Sequence, residues 1–205
     1  MNTTPINSAF LYSCAVIVGT ALLLPLNVQA DASDGEFLGY SLGTAYENGG
    51  QPAEVTASGN TIFVAADPSK PADINKVTLL TTPKSQSIGF ISGSTSFATE
   101  AEARKMGKHY FELLRAKYSE WRVGREIMNK DFQIVEVSLV DEPHELRLQL
   151  TQDETSNQWS FSMTLGWTHG SKEAQAWRNM ATTQNQAAQV DGRQQFLENA
   201  DTTGL

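Results

Sequence analysis

The chain has one cysteine and three histidines among its 205 residues, and 15 Lys and Arg against 23 Asp and Glu. A single cysteine excludes a disulfide framework and a thiolate metal cage. The histidines, at 109, 144 and 169, form no His-x-x-x-His pair. His144-Glu145 begins like a zinc-protease motif, but position 148 is leucine, so the second ligand is missing. Gly89 to Ser94 lacks both the lysine and the glycine spacing of a phosphate loop. No metal and no cofactor are therefore expected. A net charge of −8 argues against a nucleic-acid partner, whose affinity would rest on Lys and Arg neutralising phosphates.

Charge is also missing from the first thirty residues, and the first basic side chain is Lys70. Phe10 to Leu26 is an apolar run, Pro25 breaks it, and Val28-Gln29-Ala30 offers small side chains where a signal peptidase needs them. This is the layout of a secretory signal cut after Ala30, although no lysine or arginine precedes the apolar run. The alternative is an uncleaved anchor tethering an accessory protein to the membrane, since the run is at the short end of a bilayer span. Cys14 lies within the run behind bulky Tyr12, unlike a lipoprotein box. Cleavage leaves a mature chain without cysteine, and the expected location is the periplasm of a Gram-negative bacterium, ahead of full secretion.

Beyond the signal, period-two patterns predominate. Leu38 to Tyr46 alternates like one half-buried strand, Thr61 to Ala66 reads as a second, and Val77–Thr82 with Ser87–Ser92 reads as a hairpin. A Thr99-x-x-Glu102 capping box opens a helix over about 99–121. Its stripe is Ala103, Met106, Tyr110, Leu114, Tyr118 and Trp121, with Arg104, Lys108 and Arg115 on another, solvated face. Val135 to Leu139, Leu146 to Leu150 and Trp159 to Trp167 then form an antiparallel meander, apolar on one face and Ser/Thr-rich on the other. Ser171 caps a second helix carrying Ala174, Trp177 and Ala181, and residues 182–205 read as a frayed helix passing into a mobile polar tail.

The fold class is α+β, with antiparallel sheet and both helices packed on one face of it. The domain plan is a signal at 1–30, one α+β domain at 31–181 and a tail at 182–205. Within the domain, 37–121 and 122–181 are each strand-rich with a closing helix, without matching residues between them.

One motif points to chemistry. Gly39-Tyr40-Ser41-Leu42-Gly43 matches the Gly-x-Ser-x-Gly nucleophile elbow, with His144 or His169 as a base. The surroundings argue against it: no strand precedes to supply an oxyanion donor, a glycine-rich turn follows instead of a helix, and the sheet is antiparallel. The plainer reading is a strand whose glycines let another segment pack closely, with Ser41 and the glycines facing outward as a shallow groove. The acid pairs Asp141-Glu142 and Asp153-Glu154 sit in turns, and the alternating Trp and Phe residues read as core. The expected protein is an exported, non-enzymatic domain that binds a small ligand or another envelope protein. The alternatives are a small serine hydrolase using Ser41 with His144 or His169, and a membrane-tethered accessory protein.

Overall fold

The computed structural model describes residues 34–47, 52–66, 68–129, 134–153 and 156–202. The signal segment with Cys14 and Ala30, the expected turn at Asn48-Gly49-Gly50, and Asp67 and Glu154 lie outside the described residues.

Strands β1 (Glu36–Phe37) and β2 (Tyr40–Ser41) form a small hairpin. An eight-stranded antiparallel sheet follows from β3 (Glu54–Val55), β4 (Thr61–Val64), β5 (Lys76–Thr81), β6 (Ile88–Phe97), β7 (Arg122–Asn129), β8 (Ile134–Asp141), β9 (His144–Gln152) and β10 (Trp159–Trp167). Its order is β3-β4-β5-β6-β10-β9-β8-β7. Helix α1 (Glu100–Lys117) follows β6, and α2 (Lys172–Thr202) follows β10. The fold is α+β: two helices packed on antiparallel sheet. Each half is thus a four-stranded meander closed by a helix, and the halves meet at the β6–β10 pair.

Alternation along the strands becomes rows of side chains across the sheet. Leu79, Ile91, Leu165, Leu146 and Leu139 lie in one register row, and each is 0% exposed. The next row runs Val77, Gly93, Met163, Leu148 and Val137. This apolar face receives α1. The Thr99 hydroxyl accepts the Glu102 N–H at 3.3 Å and donates to the Glu102 carboxylate at 2.8 Å, which fixes the helix start. Ala103, Tyr110, Leu114, Tyr118 and Trp121 are buried, as their spacing predicts. Arg104 and Lys108 pair along the exposed face with Glu100 and Glu112, whereas Arg115 bonds the Trp121 carbonyl just beyond the helix.

Residues 38–46 are not one strand. Leu38 (φ 51) and Gly39 (φ 87) both take left-handed backbone, which makes them the two central residues of a tight hairpin between β1 and β2. The turn aims Leu38 inward, where it is 1% exposed. Its Cδ1 fills the place a side chain at Gly93 would need, since a Cβ there would lie 2.7 Å away. Leu38 therefore completes the Val77–Val137 row in which Gly93 leaves a gap.

The helices take opposite faces rather than one. Tyr110 of α1 stacks on Phe161 at 5.5 Å, on the apolar face. Trp177 of α2 packs edge-on against Phe90 at 6.2 Å, and Phe90 pairs across with Gly166. Gly166 follows Leu165 and so faces the other way. The stretch from Thr182, expected as a frayed helix passing into a mobile tail, is helical to Thr202. Polar contacts hold its first part. Gln184 accepts the Lys84 and Ser85 N–H groups, Asn185 donates to the Ser58 carbonyl at 2.9 Å, and Lys84 pairs with Asp191 at 2.6 Å. No apolar stripe is needed to hold that part of the helix, so none shows in the sequence.

Tyr110 also carries a testable polar contact, its hydroxyl donating to Asp73 at 2.6 Å. Burial, then the hydrogen bond and charge of Asp73, hold its phenol well above the ordinary value of 10.0. The folded chain keeps this proton where the unfolded chain loses it, so this contribution is full below about pH 10 and falls as pH rises further. Tyr110→Phe should cost about 1–2 kcal/mol at neutral pH. Urea midpoints at about pH 9 and pH 11 should converge in the variant relative to the native chain.

Candidate functional site

The Ser/Thr-rich sheet face changes character at one end. At Leu80, Phe90 and Gly166 the hydroxyl pattern of Thr78, Ser92 and Thr164 gives way to apolar residues and glycine. The glycines make room for rings. A Cβ at Gly166 would fall on the Phe90 ring, and one at Gly89 would fall on the Trp177 indole. Trp177 packs against β6 at Gly89, where its indole N–H donates to the Ser87 carbonyl at 2.9 Å. Ser171 starts α2 by accepting the Ala174 N–H at 3.1 Å. That start aligns Ala174, Trp177 and Ala181 on the sheet side.

Between α2 and this end of the sheet lies a groove of about 550 Å³, within the ordinary range for small-ligand sites. Phe90, Trp167 and Trp177 form an aromatic wall, with Leu80, Ala174 and Ala181 continuing it. Phe90 is 39% exposed, so its ring is open to the groove. Trp167 and Trp177 lie 6.4 Å apart. The lining also includes the polar side chains Glu145, Arg147, Arg178, His169 and Asn60.

Arg147 and Glu145 in the groove are already paired. Arg147 lies between Glu136 at 3.4 Å and Glu145 at 3.1 Å. Glu136 is 6% exposed, and a buried carboxylate demands such a partner. Arg178 donates to the His169 carbonyl at 2.9 Å. The site is a wall of rings beside a fixed guanidinium–carboxylate network.

Of the three hydrolase candidates Ser41, His144 and His169, only His169 lines this groove. Ser41 sits on the short β2 and donates to Glu36 at 3.4 Å, bonding neither His144 nor His169. His144 pairs with Trp167 across the β9–β10 ladder and packs against Gly35. Gly39 does serve close approach, since a Cβ there would meet Ser69 at 3.0 Å, so Ser69 occupies the space expected as an outward groove over that glycine. At Gly43 a Cβ would make only ordinary contact with Trp167, and its left-handed backbone (φ 79) is what favours glycine. Of the acid pairs, Glu142 meets Arg122 at 3.7 Å and Asp153 accepts the Ser156 N–H at 3.0 Å. His109 is exposed on α1, edge-on to Tyr110. Among the described residues, no three His, Cys, Asp or Glu side chains gather as a metal site. Among them, too, no helix is long and apolar enough to cross a membrane.

The groove residues have a signal in the sequence that hydroxyl alternation obscures. Leu79-Leu80 and Phe90-Ile91 are consecutive apolar pairs, and a strand with two apolar neighbours is covered on both faces. Trp167, expected in the core, is half-buried and turned to the groove. Arg147, Glu145 and Arg178 carry no comparable mark. The chain matches no family model, no curated protein and no solved structure.

Proposed function

We propose that the protein is an exported, non-enzymatic domain that binds a small ligand in the groove beneath α2. The observation that carries the reading is the groove itself: about 550 Å³, lined by three aromatic rings and a few polar groups. A mostly apolar concavity with a few oriented polar groups is what small-ligand recognition uses. The Ser41 contact with a carboxylate, and with neither histidine, favours binding over hydrolysis. The uncharged segment to Ala30 supports export to the periplasm of a Gram-negative bacterium.

A thermal-shift screen of small neutral, anionic and cationic compounds tests the binding role. A compound at about 100 times its Kd adds about 2.7 kcal/mol. For a chain of this size that is an upward shift in melting temperature of about 5–10 °C, which Phe90→Ala should abolish. Absence of any shift, together with fluorophosphonate labelling that Ser41→Ala removes, would replace the reading with the hydrolase. Export is tested separately: the periplasmic protein should begin at Asp31, and an intact Met1 chain in the membrane pellet would contradict it.

A further inference from the structure

We infer that the groove takes an uncharged oligosaccharide, with one sugar ring against Phe90 and Trp167 and the chain continuing along the hydroxyl-bearing face of the sheet. This rests on the binding role proposed above and names the class of ligand. Two observations carry it.

The first is the balance of charge. Arg147 is held by two acids, Glu145 in the groove and Glu136 behind it, while Arg178 donates to the His169 carbonyl. At Arg147 an anion would have to displace a carboxylate, and a cation would face two guanidinium groups. A wholly apolar ligand would strip water from the network and return no hydrogen bonds. A polyol does neither. Its hydroxyls donate to the carboxylate of Glu145 and accept from unused guanidinium N–H groups of Arg147 and Arg178, leaving the pairs intact. The C–H face of a sugar ring meanwhile suits the negative face of an aromatic ring.

The second is what lies next to the groove. Directly beyond Phe90 and Gly166, the two central strands carry the same-face pairs Ser92–Thr164, Ser94–Ser162 and Ser96–Ser160. Five of these six side chains are half-buried and Ser96 is exposed, so the track is open. Thr164 donates to Ser92 at 2.9 Å, and Ser96 and Ser160 share a hydrogen bond at 3.3 Å. A hydroxyl, with one donor and two acceptor lone pairs, keeps capacity beyond one such bond for a sugar hydroxyl. A ring wall opening onto an uncharged hydroxyl track fits a ligand longer than one ring.

The purified protein should be titrated with maltotriose, cellotriose and tri-N-acetylchitotriose, read by tryptophan emission and calorimetry. At least one should saturate with a Kd of about 10 μM to 1 mM. Phe90→Ala should weaken it at least about tenfold, while His109→Ala, on the opposite side of the sheet, should not. No binding of any of the three up to about 10 mM, or binding that survives Phe90→Ala, would overturn the inference. Benzoate and phenylethylamine in parallel separate the two levels. Phe90-dependent binding of either, without the sugars, overturns the sugar and keeps the groove as a ligand site. Silence from every probe overturns both.

Discussion

Phe161→Ala should lower the free energy of unfolding by about 3–5 kcal/mol, read as a shifted urea midpoint at unchanged slope. The ring is 0% exposed at the centre of β10, between Thr95 on β6 and Leu150 on β9. Tyr110 lies over it, with 24° between the ring planes. The cavity left by truncation cannot close easily, because the Tyr110 hydroxyl is tied to Asp73 and the neighbouring strands are fixed in register. A rigid surround keeps the cost at the upper end of the range for large-to-small changes. The next residue supplies the contrast. Ser162 points to the hydroxyl face, is half-buried, and should tolerate alanine within about 0.5 kcal/mol. A loss at Ser162 as large as that at Phe161 would mean that the second face is closed as well.

That contrast is also where the sequence is legible. Five apolar residues at strict period two in Trp159–Trp167, and a capped stripe from Ala103 to Trp121, allow one sheet and one helix, and both are present. Three features are hidden for physical reasons. Leu38 looks like a strand residue, because an apolar side chain in left-handed backbone leaves no trace in a hydrophobic pattern. The edge strand β7 shows no strand pattern, since Arg122, Gly124, Arg125 and Glu126 interrupt its alternation. The structure shows a bulge between Val123 and Glu126, where Arg125 N–H bonds the Ser138 hydroxyl at 3.0 Å. The second face of the sheet is hidden most thoroughly. It is mostly hydroxyl, and α2 holds it through one indole, two small alanines and amide side chains, so neither partner shows a wide apolar stripe. A site built where such a helix crosses such a face depends on long-range register, which no local pattern encodes.

Gly89→Val should release α2 from the sheet. Its branched side chain would occupy the space of the Trp177 indole, a ring with nowhere to shift because it is buried and bonded to the Ser87 carbonyl. Among the described residues, Trp177 is the one large side chain on the buried stripe of α2, the others being Ala174 and Ala181. Displacing it forfeits on the order of 3 kcal/mol of buried area and one hydrogen bond. The loss falls on the helix, since the atoms nearest a Cβ at position 89 all belong to Trp177. Amide exchange should therefore accelerate through residues 172–190 while β8, β9 and β10 keep their protection. Trp177 emission should move to the red, and any ligand held in the groove should be lost with the helix that roofs it. Gly192→Ala is the control within the same helix. A Cβ there meets nothing within 4 Å, so alanine should add about 0.8–1.0 kcal/mol to helix stability and leave the groove intact. Full protection of 172–190 in Gly89→Val would show that the amide contacts of Gln184 and Asn185, rather than the indole, hold α2 in place.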